Sequence, residues 1–151
     1  MEVIYSDQVI PEIVNKRSIF LAGPTPRCIH LQSWRLEAID ILETLDYNGF
    51  VFVPELSARS KKYDYINQVE WEKKGLTIAT RVVFWIPRCL PDMPGFTTNI
   101  EFGMNIGNGR TIYGRPDDAE HIRYLDWLYK STTYKEPFNN LKEMLEYTVA
   151  L

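Results

Sequence analysis

The stretch Ser18-Ile19-Phe20-Leu21-Ala22-Gly23-Pro24 determines how the rest of this 151-residue sequence is interpreted. A short apolar run followed by Gly-Pro is typical of a buried strand that ends in a turn. The pattern returns in Phe50-Val51-Phe52-Val53, stopped by Pro54, and in Val82-Val83-Phe84-Trp85-Ile86, stopped by Pro87. Because these runs do not alternate with polar residues, they predict strands that are covered on both faces.

Helical periodicity fills the intervals between the predicted strands. One helix is predicted from the spacing of Trp34, Ala38, Ile41, Leu42 and Leu45, with Ser33 as its N-cap and Asn48-Gly49 at its end. Further helices are predicted over 66–79, 97–108, 117–130 and 139–149, and a fourth strand over 111–113. Alternating strands and helices predict an α/β fold with a parallel sheet. Ligands of such folds bind beyond the carboxyl ends of the strands, which places the candidate loops at 23–32, 54–65 and 87–98.

Length and composition restrict the classes of protein that need to be considered. A chain of this length makes one domain, 1–151, in which residues 1–17 precede the first predicted strand as a candidate N-terminal extension. The net charge of -3, without a basic stripe, disfavours a nucleic-acid polymer as partner. No apolar stretch approaches the length that spans a bilayer, and the first residues do not resemble a secretory signal. The sequence therefore predicts a cytoplasmic protein without a membrane partner.

Metal and cysteine chemistry receive little support from the sequence. The two cysteines, Cys28 and Cys89, are too few for a disulfide framework. Cys28-Ile29-His30 is a weak metal cue, because no second Cys/His pair lies nearby. Neither a dinucleotide-binding Gly-x-Gly-x-x-Gly motif nor a P-loop occurs. We predict no metal and no cofactor.

The loop after the first predicted strand is the first candidate for ligand binding. Gly23 and Pro24 permit close approach of the backbone, Thr25 offers a hydroxyl, and Arg27 can bind a phosphate or a carboxylate through its forked donors. The alternative is a rigid Pro-rich turn with a surface arginine.

Glu101 is the candidate nucleophile. It lies near the start of the third predicted helix, where the helix dipole stabilises a carboxylate, and a carboxylate in a pocket can attack an anomeric carbon. The alternative is structural. Thr98-x-x-Glu101 has the spacing of a capping box, in which the glutamate side chain accepts from the backbone N–H of Thr98.

Glu72 is a candidate for a second carboxyl group in the site. It lies on the predicted apolar stripe of Val69, Leu76 and Ala79, where a carboxylate is unusual. It is either paired with a cation at the edge of the stripe or directed into a pocket, where it could protonate a leaving nitrogen. Trp71, beside it, can stack on a base or pack in the core.

The loop after the third predicted strand adds two candidates. Arg88 is predicted to bind an anion, and Asp92 to be a further pocket carboxylate. The alternative for both is a solvated loop.

Over roughly residues 18 to 115 the sequence resembles the nucleoside 2-deoxyribosyltransferase family, in particular its divergent branch. The resemblance rests on the order of six segments, namely 19–27, 33–35, Val53-Pro54-Glu55, 68–72, 83–87 and Thr98-Asn99-Ile100-Glu101-Phe102-Gly103. It implies a flavodoxin-like three-layer sandwich with about five parallel strands and helices on both faces. Members transfer 2-deoxyribosyl groups between bases or hydrolyse the bond in nucleotides, and they are usually homodimers or larger homo-oligomers.

The resemblance also implies roles for individual residues. The glutamate of the family's Glu-x-Gly motif, the nucleophile, falls on Glu101, and Glu72 fits the carboxylate that contacts the base. The aspartate that often follows the third strand is replaced by Arg88, and Asp92 is the nearest aspartate. Phe20 stands where relatives often have a tyrosine that orients the nucleophile.

These residues predict cleavage or transfer at the N-glycosidic bond of a nucleoside or nucleotide, through a covalent glycosyl-glutamate intermediate. Asn99 is predicted to contact the substrate, and Trp71 or Trp85 to stack on the base. The competing hypotheses are a non-catalytic nucleotide-binding or sensor module, an NAD-cleaving hydrolase and a structural subunit.

Overall fold

A computed structural model describes residues 1–12, 16–57 and 64–151 of the chain. In this part of the chain five strands form one parallel sheet in the order β1-β3-β2-β4-β5. The strands are β1 (Glu2–Tyr5), β2 (Ser18–Ala22), β3 (Phe50–Val53), β4 (Arg81–Trp85) and β5 (Thr111–Gly114). The helices are α1 (Trp34–Thr44), α2 (Tyr65–Ile78), α3 (Phe96–Asn105), α4 (Arg123–Thr133) and α5 (Leu141–Ala150), and a 3-10 turn (Ile106–Asn108) extends α3. The sheet and helices confirm the predicted α/β, flavodoxin-like sandwich.

The alternation of side chains along the strands divides the core into two hydrophobic layers. Phe20, Phe52 and Phe84 face one side of the sheet, where α2, α3 and α4 cover them. Leu21 and Val51 face the other side, which α1 and α5 cover. Because both faces are covered, the three central strands β2, β3 and β4 are largely apolar, as the sequence predicted.

The N-terminal strand β1 was not predicted from the sequence. It pairs with β3 at the edge of the sheet, so the segment described above as a candidate extension supplies the fifth strand. Only Ile4 of this strand is buried. Its mixed polarity, which is normal for an edge strand, explains why it lacked the apolar signal of the other strands.

Several helix boundaries differ from the prediction. The first helix ends at Thr44 and not at Asn48-Gly49, because Asp46 has a left-handed backbone with φ 50°. The fourth helix begins at Arg123, six residues later than predicted, and residues 117–122 form turns. Ser33 caps the first helix as predicted, its hydroxyl accepting from the backbone N–H of Arg35. Residues 58–63 of the predicted loop 54–65 lie outside the described residues.

None of the helices in the described ranges is long and apolar enough to cross a membrane.

Candidate functional site

A cavity of about 320 Å³ lies at the carboxyl ends of the central strands. It is bounded by the loop after β2, by α2 and by the start of α3. Strand β2 has β3 on one side and β4 on the other, so the chain reverses its direction of progress along the sheet here. Open parallel sheets bind ligands at such a point. The lining residues that carry the argument below are Phe20, Gly23, Pro24, Thr25, Arg27, Arg35, Gln68, Glu72, Phe96 and Glu101.

Glu101 lines this cavity from α3, and its position rules out the predicted capping box. The N-cap of α3 is Gly95, which has a left-handed backbone with φ 61° and, among the described residues, no side-chain capping bond. Thr98 therefore lies inside the first turn of the helix and not at its cap. The helix cap thus lies three residues earlier than the capping box requires, and the Glu101 carboxyl group is directed into the cavity.

Glu72 faces Glu101 from α2. Gln68, one turn earlier on the same helix, donates from Nε2 to Glu72 Oε1 over 2.9 Å and also to the carbonyl oxygen of Pro54 over 3.1 Å. The carboxyl groups of Glu72 and Glu101 are close enough for each to change the pKa of the other. Of the two alternatives stated for Glu72, the structure shows the one directed into a pocket.

The proximity of two carboxyl groups in a desolvated cavity changes their proton affinity. Burial and, to a smaller extent, the negative charge of Glu72 raise the pKa of Glu101 to about 7, although the Arg35 cation opposes this increase. Burial also raises the pKa of Glu72, although its hydrogen bonds to Gln68 and Glu101 and the charge of Arg35 oppose this increase. Both shifts favour retention of a proton on the pair near neutral pH.

Arg35 organises the wall of the cavity opposite the two helices. It is 1% exposed and donates to the carbonyl oxygen of Leu21 over 2.9 Å and to that of Gly23 over 2.6 Å. It also donates to Thr25 Oγ1 over 3.1 Å and forms an ion pair with Glu55 at 2.6 Å. One buried guanidinium thus fixes the loop after β2 against the end of β3.

The predicted binding loop lies where the sequence placed it. Gly23 has φ 146°, and a Cβ atom there would lie 2.1 Å from the carbonyl oxygen of Trp85, so no side chain fits. The carbonyl oxygen of Pro24 accepts from Trp34 Nε1 over 3.1 Å. Thr25 and Arg27 are exposed at the cavity, and the Arg27 guanidinium lies 5.8 Å from the centre of the Phe96 ring. The structure brings all four predicted loop residues to the cavity.

Phe20 lines the inner end of the cavity and is 1% exposed. Its ring packs against Trp71 at a centroid distance of 6.0 Å and against Gly75, where a Cβ atom would lie 2.7 Å from the ring. Close packing on an apolar surface suits a phenyl ring at this position.

The two tryptophans predicted to stack on a base are in the hydrophobic cores. Trp71 is buried between Phe20 and Phe52, and its Nε1 donates to the carbonyl oxygen of Gln8 over 2.9 Å. Trp85 is buried on the opposite side of the sheet. Both tryptophans pack in the hydrophobic core. The periodicity of the sequence alone does not distinguish a tryptophan that packs in the core from one that contacts a ligand. The aromatic rings exposed at the cavity are instead those of Tyr65 and Phe96.

The remaining predicted residues lie away from the cavity. Arg88 is 4% exposed and pairs with Asn99 in a second cavity, described below. Asp92 is exposed on its loop, and its backbone carbonyl accepts from the N–H of Arg27 over 2.8 Å. The structure thus gives Asp92 a main-chain contact with the binding loop and places its side chain in solvent.

The sequence reasoning gave Arg35, Glu55 and Gln68 no binding or catalytic role, although each lies in a segment that carries the family resemblance. Ser33 also belongs to this group, since its hydroxyl donates to Glu55 Oε1 over 2.6 Å. One signal in the sequence could have identified Arg35, because it is a charged residue at a position on the buried face of α1. Partners 20 residues apart in the chain, such as Arg35 and Glu55, are not identified by local spacing.

The comparison with known families gives one match. A family model described as "nucleoside 2-deoxyribosyltransferase like" matches residues 16–119. No curated protein matches the chain. The matched range contains every residue that lines the cavity.

Proposed function

Because the chain belongs to the nucleoside 2-deoxyribosyltransferase-like family, we propose that it cleaves or transfers the N-glycosidic bond of a nucleoside or nucleotide through a covalent ester on Glu101. One observation carries the proposal. The Glu101 carboxyl group is directed into a cavity and faces a second carboxyl group, that of Glu72. A carboxyl pair with one shared proton provides a nucleophile and an acid together.

The first displacement uses the shared proton. Before attack the proton moves across the hydrogen bond to Glu72, which leaves Glu101 ionised. An oxygen of Glu101 forms a bond to the anomeric carbon as the bond from that carbon to the base nitrogen breaks. The electron pair of the broken bond goes to the base, which takes the proton from Glu72. The products are the free base and a glycosyl ester of Glu101.

The second displacement regenerates the pair. Water or an acceptor base attacks the anomeric carbon, and the bond to Glu101 breaks with its electron pair returning to the carboxylate. Glu72, now ionised, takes the proton that the attacking group releases. Two displacements at one carbon retain its configuration.

The loop after β2 is suited to hold the far end of the sugar. Arg27 and the hydroxyl of Thr25 are exposed at the cavity, and the first turn of α3 presents backbone N–H groups beside them, starting at Phe96. Exposed donors at a helix N-terminus favour an anion, so this edge is suited to a 5′-phosphate.

The direct test is base release from a panel of nucleosides and nucleotides that includes NAD. We expect Glu101→Gln to lower the rate by a factor on the order of 10³ or more. Glu70→Gln, an exposed glutamate on α2, is the matched control and should retain the rate. Intact-mass measurement during turnover should show a sugar-sized adduct that is absent from Glu101→Gln. An unchanged rate in Glu101→Gln would remove Glu101 from its role.

The panel also separates the competing hypotheses. Release of nicotinamide from NAD alone would identify an NAD-cleaving hydrolase. Nucleotide binding without release of any base would identify a sensor module. A protein whose melting temperature no ligand raises would be a structural subunit.

The phosphate contact is tested separately through Arg27. We expect Arg27→Gln to lower kcat/KM for nucleotides by about tenfold or more, while nucleosides lose less, because a charge-assisted hydrogen bond contributes about 1.5–3 kcal/mol. Equal losses for both substrate types would exclude a phosphate contact at Arg27.

We also propose that a second copy of the chain covers the outer face of α3, giving a homodimer. Phe96, Ile100 and Met104 are spaced four residues apart on this helix and are 67%, 64% and 77% exposed. The helix carries no charged residue except Glu101, which faces the cavity. Since a two-fold contact packs the same surface patch of both copies together, an uncharged apolar face avoids repulsion between like charges and suits self-association. Light scattering should give a dimer, and Met104→Lys should give a monomer; a monomeric parent protein would refute this proposal.

A further inference from the structure

A second cavity, also of about 320 Å³, adjoins the candidate site. Its lining consists of Arg88, Leu90, Pro94, Phe96, Asn99 and His121. Phe96 lines both cavities, so its ring is a wall that they share. The second cavity therefore lies next to the proposed sugar site but has its own residues.

Arg88 is a buried cation in this second cavity, and it forms no ion pair within the described ranges of the chain. Its Nη1 donates to the backbone carbonyl oxygen of His121 over 2.8 Å, and its Nη2 donates to the side-chain oxygen of Asn99. Its Nε has no hydrogen-bond partner among the described residues. No carboxylate in those residues forms an ion pair with Arg88, and segments 13–15 and 58–63 contain no acidic residue.

A buried charge of this kind needs a compensating interaction. Removing an arginine from water without a counter-charge is costly, and proteins usually pair such a group. The same chain pairs its other buried arginine, Arg35, with Glu55 at 2.6 Å. Arg88 lacks such an ion pair among the described residues, and the Glu120 carboxylate near it accepts from the backbone N–H of Leu90 instead.

The backbone around Arg88 keeps the guanidinium in place. The carbonyl oxygen of Arg88 accepts from the N–H of Glu120 over 3.0 Å, and Nη1 of the same residue binds the carbonyl of His121. His121 has a left-handed backbone with φ 51°, a conformation that is uncommon for a residue with a side chain. The turn before α4 is thus attached to Arg88 at two points.

We propose that the second cavity is an anion-binding site in which Arg88 and Asn99 bind the carboxylate or phosphate oxygens of a ligand. Leu90, Pro94 and Phe96 contact the apolar part of the same ligand. The ligand class is an acidic molecule with an apolar or aromatic body. Binding there requires no bond cleavage, so it does not depend on the chemistry proposed for Glu101.

The test is calorimetric titration of the full chain with benzoate, phenyl phosphate and neutral benzamide at constant ionic strength. We expect benzoate or phenyl phosphate to bind, and benzamide to bind at least about tenfold more weakly, because it lacks the charge-assisted contact. Stronger binding of one probe identifies the anionic group that the site accepts. Failure of both acidic probes to bind at millimolar concentration would overturn the proposal.

Variants locate the bound probe. Arg88→Gln should weaken binding of the acidic probe by about tenfold or more, Arg27→Gln should weaken it by a smaller factor, and the exposed Arg123→Gln should bind it as the parent protein does. Loss of binding in Arg27→Gln but not in Arg88→Gln would place the anion in the first cavity and overturn the proposal. Retained binding in Glu101→Gln separates this proposal from the proposed reaction.

A second variant covers the case in which Arg88→Gln does not fold. Asn99→Asp retains Arg88 and places a carboxylate at the guanidinium. The internal carboxylate should compete with the acidic probe and weaken its binding by about tenfold or more, while the melting temperature without ligand rises. Unchanged affinity in Asn99→Asp would contradict an anion site at Arg88.

Discussion

Replacing Glu72 by glutamine tests the carboxyl pair through the pH dependence of the rate. In the parent protein the reactive form holds one proton, so kcat/KM should rise with pH as the first proton of the pair leaves. It should fall as the second proton leaves, at about pH 7, where the pKa of Glu101 lies. Glu72→Gln removes both the acid and the like charge. The pKa of Glu101 should then decrease but stay above 4.5, because burial, the largest cause of the increase, remains.

Two results should follow in a pH series of base release by chromatography. The rate at pH 6 should fall by about 10²–10⁴-fold, the usual contribution of a positioned acid. The shape of the profile should change from a bell to a single rising limb, without the decrease above pH 7, since the only remaining carboxyl group must be ionised. Glu70→Gln, on the same helix but exposed, should retain the bell. A variant at Glu72 that still loses activity above pH 7 would refute the shared-proton argument.

Three further predictions concern stability measured by urea denaturation. The free energy of unfolding of Glu101→Gln should increase relative to that of the parent as pH rises from about 4.5 to 7, by up to about 3 kcal/mol, and should not increase below pH 4.5. The reason is that the pKa of Glu101 is raised in the folded state, so ionisation destabilises the folded parent protein. A difference that does not depend on pH would refute this. Arg35→Met should lose about 3–5 kcal/mol because it leaves a partner charge without its counter-ion, whereas the exposed Arg123→Met should change by less than about 0.5 kcal/mol; equal losses would contradict the structure. Gly95→Ala should lose about 1–2 kcal/mol because φ is 61°, whereas Gly103→Ala, in open space on the same helix, should gain up to about 1 kcal/mol; a neutral Gly95→Ala would show that the backbone there adapts.

The layers of this fold could be predicted because local sequence determines them. The apolar runs at 18–22, 50–53 and 82–86 need cover on both faces whatever lies elsewhere in the chain. Strand β1 could not be predicted in this way, since an edge strand with one buried residue has no distinctive composition. Its place is determined by pairing with β3, about 50 residues away.

The candidate site was predictable to a similar extent. Gly23 follows β2 directly, and Glu101 lies in the helix α3 that follows the loop after β4, so the rule for parallel sheets places both at one edge. The choice between capping and exposure for Glu101 depended on where α3 begins. That start is set by Gly95, whose left-handed backbone brings the helix against Pro24; a Cβ atom at Gly95 would lie 2.8 Å from the Pro24 side chain. Gly95 and Pro24 lie about 70 residues apart in the sequence, so local spacing does not reveal their contact.

The arrangement around Arg35 explains how the two acidic residues remain available for chemistry. Among the described residues, Arg35 forms its ion pair with Glu55, and its other donors are used by carbonyl oxygens of the binding loop and by Thr25. It therefore acts on Glu72 and Glu101 through space and lowers their pKa without a direct bond. A direct ion pair would hold the Glu101 carboxylate in one position and reduce its nucleophilicity. Because Glu55 pairs with Arg35, the positive charge acts less strongly on Glu72 and Glu101, which favours retention of a proton on the two carboxyl groups.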